Sequence, residues 1–111
     1  MLARENRLLS ADDFRVVLRR GRRITAGSMV VSILATVDAQ ARFGFVVTKK
    51  VGNAVNRNRI RRRMKAVARE LIDGGLDGVD VVVRATPDAL DSEWTELRSQ
   101  LRGALGRGTH E

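Results

Sequence analysis

The chain has 111 residues, a net charge of +8 from 21 Lys or Arg against 13 Asp or Glu, and no cysteine. One domain with a modest core fits that length, while a disulfide framework and thiolate metal sites are excluded. No apolar run reaches the length of a membrane span, and the first residues lack a signal peptide's apolar core, so a cytoplasmic protein with no membrane partner is expected. Arg outnumbers Lys eighteen to three, which favours forked contacts to a polyanion over point-charge attraction.

Residues 1–9 read as a flexible, extended arm. The first helix starts at Ser10, with Asp13 as a capping-box variant and Leu9 and Phe14 placed as a hydrophobic staple. Phe14, Val17 and Leu18 form its apolar edge, and Gly21 ends it. Arg19, Arg20, Arg22 and Arg23 surround that glycine, and a short extra strand fits Arg22 to Thr25.

Two strands follow, 28–37 and 41–48, joined through Asp38-Ala39-Gln40. Met29, Val31, Ile33, Ala35 and Val37 share one face of the first, and Phe43, Phe45 and Val47 share one face of the second. The opposite faces carry Ser28, Val30, Ser32, Leu34, Thr36, Arg42, Gly44, Val46 and Thr48. This second face suits a shallow groove, with Gly44 allowing close approach of a ligand. It has no aromatic platform for base stacking, so backbone and shape recognition is expected there.

Lys49 to Arg69 holds nine Lys or Arg and no acid in 21 residues, whereas Glu70 to Glu96 holds eight acids and one base, Arg84. The basic stretch reads as a helix capped by Asn53. Ile60, Met64, Val67, Ala68 and Leu71 make a single apolar stripe. Arg57, Arg61 and Lys65 climb one flank, Arg59 and Arg63 the other, and Arg62 and Arg69 point outward. Cations in the first turn oppose the helix dipole by a few tenths of a kcal/mol each, and neighbouring arginines repel. A phosphate backbone across the helix start relieves both effects.

Gly74-Gly75 stops the basic helix near Asp73. Val79 to Ala85 is a strand pairing parallel with an earlier one, and Thr86-Pro87 ends it. A last helix over 91–105 carries Trp94, Leu97, Leu101 and Leu105 on one stripe, with Trp94 read as core, and 106–111 reads as a frayed tail containing the sole histidine, His110. The order is α-β-β-α-β-α, an α+β sandwich of one mixed sheet against helices in a single domain, 1–111. Physical rules alone make its β-α-β crossover right-handed.

A nuclease needs metal-holding carboxylates or an acid–base pair. The basic region has neither, and Asp73, Asp77, Asp80 and Asp88 follow no metal-ligand spacing. The residues therefore describe a nucleic-acid-binding chain that does not itself hydrolyse phosphodiesters. A ribosomal or RNA-chaperone protein remains an alternative. A DNA-binding helix-turn-helix fits less well, because a strand and not a short helix precedes the basic helix. No DNA partner is expected.

The run Lys-Lys-Val-Gly-Asn-Ala-Val-x-Arg-Asn-Arg-Ile-x-Arg, here Lys49 to Arg62, resembles the signature of the bacterial ribonuclease P protein subunit. Arg57-Asn58-Arg59 matches the "RNR" motif, and Phe14-x-x-Val17-x-x-x-Gly21 looks like the family's first helix. That resemblance implies the ribosomal protein S5 domain 2-like fold with a left-handed crossover. It also implies a catalytic centre in an RNA subunit with bound Mg2+, none of it held by the protein. Lys49, Lys50, Asn53, Asn56, Arg57, Asn58, Arg59, Arg61, Arg62, Lys65 and Arg69 would hold that ribonuclease P RNA. Phe14, Val17, Leu18, Arg22, Ser32, Leu34, Gly44 and Val46 would line a cleft for the 5′ leader of precursor tRNA. Many members carry an aromatic where this chain has Leu18.

Overall fold

Alternation along three segments and helical stripes along three others resolve into a mixed sheet clamped between helices. The computed structural model describes residues 2–109, and the backbone alone of Thr109, so His110 and Glu111 at the end of the expected tail lie outside the described residues. The elements are α1 (Ala11–Arg20), β1 (Arg22–Ala26), β2 (Met29–Ala35), β3 (Arg42–Val46), α2 (Ala54–Asp73), β4 (Val79–Ala85) and α3 (Trp94–Thr109). The short extra strand is present as β1. The sheet order is β1-β2-β4-β3, with β4 antiparallel to β2 and parallel to β3.

β4 is buried on both sides because it is central. Its Val79, Val81, Val83 and Ala85 join Met29, Val31, Ile33 and Phe43 in the main core. Ile60, Met64, Val67 and Ala68 of α2 and Leu97, Leu101, Ala104 and Leu105 of α3 close that core. On the other face Val82 packs with Val17 of α1 and with Leu8. One strand thus receives helices on both faces, which explains its nearly continuous valine run.

β3 is an edge strand, and an unpaired edge invites intermolecular pairing. Here the amino-terminal segment covers it: Arg7 bridges Phe43, and the Leu8 N–H donates to the Phe43 carbonyl at 2.9 Å. Leu2 is in the main core and Leu8 in the second. The expected loose arm is therefore a packed element of the fold. Its apolar residues, too few for a helical stripe, find partners only in three dimensions.

Other expectations shift at element ends. Val37, assigned to the core face of β2, lies beyond the strand and is fully exposed. Pro87–Asp91 forms a separate 3-10 turn, so α3 begins at Trp94 and not at 91. At its far end α3 continues through the expected frayed residues to Thr109, where Gly108 lies so close to β2 that a Cβ would strike Ile33. Both helix starts behave as read. The Ser10 side chain accepts from the Asp13 N–H at 3.1 Å, and Asn53 accepts from the Asn56 N–H at 2.9 Å.

Candidate nucleic-acid interface

α2 places its cations by the same periodicity that buries its stripe. Arg59, Arg62, Arg69 and Asn58 are exposed, and Arg57, Arg61, Arg63 and Lys65 are half-buried along the flanks. None of Arg57, Arg59, Arg61, Arg62, Arg63 or Lys65 has a carboxylate partner among the described residues. Arg59 instead donates to the Asn56 side-chain carbonyl at 3.2 Å and Arg61 to that of Asn58 at 3.1 Å. These neutral acceptors orient the guanidinium groups without cancelling their charge. Arg57 differs: its Nε is buried without a hydrogen-bond partner.

Three grooves drain from this helix. On its outward face Val55, Asn58, Arg61, Arg62 and Lys65 enclose about 430 Å³, and Val55 there is 74% exposed. Toward α3, Arg59, Arg62, Arg63, Ala66 and Trp94 enclose another 430 Å³ or so. Toward α1, Arg61 and Lys65 share a groove of about 240 Å³ with Phe14, Gly44, Phe45, Leu9 and Arg7. The third groove combines an aromatic edge, the margin of a sheet and three cations, the kinds of group that single-stranded nucleic-acid sites use.

The expected leader cleft is partly rearranged. Val17, Ser32 and Gly44 are buried, because α1 lies across the middle of that sheet face. A Cβ at Gly44 would overlap the Phe14 ring, so the close approach that this glycine permits is made by Phe14 and not by a ligand. Leu34 and Arg22 line a different cavity with Arg20, at the carboxyl end of α1. Phe14, Leu18 and Val46 retain accessible surface, Leu18 being 42% exposed. Arg84 and Val30, absent from the expected cleft, stand beside Val46 in register across β3, β4 and β2. Their signal was present: Arg84 is the single base in an acidic tract, on the strand face that also carries Val82.

Other site residues divide between structure and surface. Asn53 caps α2 and Asn56 serves Arg59, so both organise the helix start. Arg69 pairs with Asp73 one turn later at 3.2 Å. Lys49 and Lys50 are exposed just before α2. Behind the Phe14 groove, Arg42 is held by the buried Asp80 and reaches Asp13 of α1 at 3.6 Å. Its guanidinium is pushed above its ordinary pKa, first by the hydrogen bond to Asp80, against the opposing effect of burial. It serves the fold, tying α1 to two strands.

No cluster of three or more His, Cys, Asp or Glu suited to a metal occurs among the described residues, and no helix there is long and apolar enough to cross a membrane. An α+β chain with a row of cations lacking carboxylate partners among the described residues, beside a strand-sized groove, has the charge and shape to fit a polyanion. Residues 2–108 match the Ribonuclease P family. The ribonuclease P protein component of Clavibacter michiganensis subsp. michiganensis is 47% identical over 108 residues, covering 96% of each chain. That of Kocuria rhizophila is 38% identical over 105 residues, covering 95% of this chain and 93% of its own. The Staphylococcus aureus RNase P protein structure superposes with a TM-score of 0.84 at 25% identity, covering 94% of this chain and 95% of its own. The Thermotoga maritima RNase P protein gives 0.81 at 25% identity, covering 91% and 96%. The chain belongs to the ribonuclease P protein family and is a subunit of that tRNA-processing ribonucleoprotein enzyme.

Proposed function

We propose that the outward face of α2 binds the ribonuclease P RNA and that the groove beside Phe14 receives the 5′ leader of precursor tRNA. The observation that carries this reading is the row of six α2 cations with no carboxylate partner among the described residues, continuous with the Phe14 groove through Arg61 and Lys65. Joining two RNAs is opposed by phosphate repulsion, and a chain of net charge +8 placed between them offsets part of it. Arg59, Arg61 and Arg62 fork onto phosphates of the RNA subunit. Phe14, Val46 and Arg84 contact the leader, with the apolar pair gripping sugars and bases and Arg84 a phosphate.

Magnesium belongs to the RNA subunit in this reading. The three grooves are lined by amides, apolar groups and cations, a donor set that repels a divalent ion. When bound to the RNA, magnesium supplies the activated water and stabilises charge on the scissile phosphate. The protein positions substrate, lowers the magnesium needed to bring the RNAs together, and works where precursor tRNA is made, in the cytoplasm.

Equilibrium binding of labelled ribonuclease P RNA tests the α2 assignment. Arg59→Ala/Arg62→Ala is expected to leave the melting temperature nearly unchanged, since surface substitutions alter stability by less than about 0.5 kcal/mol. It should weaken RNA binding and lower the salt slope by about two, one for each lost phosphate contact. Unchanged affinity in the folded double variant would rule this face out.

A further inference from the structure

The groove between α2 and α3 sets Arg59 and Arg62, already assigned to RNA phosphates, beside Arg63 and Trp94, which have no role in the contacts assigned so far. We infer that it is a nucleotide site, in which an unpaired base of the ribonuclease P RNA stacks on Trp94 while Arg59, Arg62 and Arg63 hold its phosphates. This rests on the reading that the outward face of α2 meets that RNA. Trp94 is the only tryptophan in the chain. Its ring packs on the main core yet keeps part of its surface in the groove. The groove is shallow and open, about 430 Å³, a shape that lets a base lie against the ring but does not enclose a ligand.

The charge around Trp94 is arranged for an anion. Glu70, the acid on this flank of α2, is engaged by Arg98 at 2.8 Å and Arg102 at 3.5 Å from α3. Glu96 is turned back to accept the Glu93 N–H at 3.1 Å. Both carboxylates therefore have partners elsewhere, and no acid is among the residues that line the groove with Arg59, Arg62, Arg63 and Trp94. The chain leading into α3 is also held in place. Two residues before it, the Ser92 hydroxyl bonds Ser28 of the β1–β2 turn and the Asp88 carbonyl. A half-buried aromatic ring beside guanidinium groups is a stacking platform for a base, with Arg adding cation–π attraction.

The RNA subunit is the favoured source because Arg62 lines both this groove and the outward one. A strand crossing α2 from Arg61 over Arg62 arrives at Trp94. The leader groove lies on the opposite flank, with Phe14.

The lone tryptophan makes the site observable. Titrating the folded protein with ribonuclease P RNA should quench Trp94 emission with the same midpoint as binding measured by filter retention. Precursor tRNA alone and leaderless tRNA should quench weakly. Trp94→Phe should keep most of the affinity, and Trp94→Leu should bind about 5- to 100-fold more weakly, the range expected when one stacked base is lost. Melts of both variants verify folding, and wild-type quenching decides the matter if the Leu variant unfolds. RNA that binds without quenching, or a folded Leu variant within twofold of the parent, overturns the Trp94 site and leaves the α2 assignment intact. Quenching by precursor tRNA alone overturns the choice of RNA. Absence of RNA binding overturns both readings together.

Discussion

Phe14 and Gly44 share one volume: the ring on α1 lies where any side chain at position 44 of β3 would begin. This contact lets α1 approach β3 closely, and it forms part of the wall of the groove that Arg61 and Lys65 complete. Gly44→Ala must displace the ring and should destabilise the protein by about 1–3 kcal/mol, the usual effect of overpacking. Phe14→Leu in the same chain should recover part of that loss, giving a coupling of at least about 0.5 kcal/mol in denaturant titrations. Additive effects would mean that the two residues do not confront one another.

The Arg42–Asp80 pair makes a separate stability prediction. Asp80 is 6% exposed and accepts from Arg42 Nε at 2.9 Å and Nη2 at 2.7 Å. Arg42→Met should cost about 3–5 kcal/mol by leaving a buried carboxylate unpaired, whereas Arg42→Met/Asp80→Leu should cost much less. Chemical denaturation of the three proteins checks this order, and a double variant no better than the single one would contradict it.

Arg57 should show opposite signs in stability and binding. Its Nε is buried without a partner, a deficit of about 1–3 kcal/mol, and its charge opposes the start of α2. Arg57→Leu should raise the melting temperature of the free protein and weaken binding of the ribonuclease P RNA. A loss of stability would show that the guanidinium is satisfied in solution.

The leader groove predicts a dependence on substrate length. Truncating Val46 to Ala should weaken binding of precursor tRNA to the assembled enzyme, with an effect that grows over the first leader nucleotides and then levels off. Arg84→Ala should do the same and make leader binding less salt-sensitive. Variants that bind long-leader and leaderless substrates in the parent's ratio would remove the leader from this groove.

α2 was legible before any coordinates because its information is one-dimensional. A cap at Asn53, a stripe from Ile60 to Leu71 and a run without acids fix which cations face outward. The leader groove was only half legible. Alternation sorted Ser32, Gly44 and Val46 onto one sheet face, but alternation carries no record of where α1 crosses it. That crossing buries Ser32 and Gly44 and spares Val46. The same limit applies to Leu2 and Leu8, whose partners are distant in sequence, and to Trp94, whose stripe position showed the core contact but not the groove beside it.

Assembly driven by the cations of α2 should respond strongly to salt. Six to eight neutralised phosphates give a log–log slope of roughly −4 to −7 for RNA binding, about a 10²- to 10⁴-fold loss over a fourfold rise in salt. A flat response would reduce the cations of α2 to a solvated face.

The central claim is that this chain supplies RNA contacts and no chemistry, and reconstituted cleavage of precursor tRNA tests it most directly. Three mixtures are compared over a magnesium series: purified protein, ribonuclease P RNA, and both together. The protein alone should leave the substrate intact at every magnesium concentration, and the pair should release the 5′ leader at magnesium levels where the RNA alone is slow. Leader release by protein rigorously freed of RNA, or a protein that leaves the magnesium requirement of the RNA unchanged, would contradict the account.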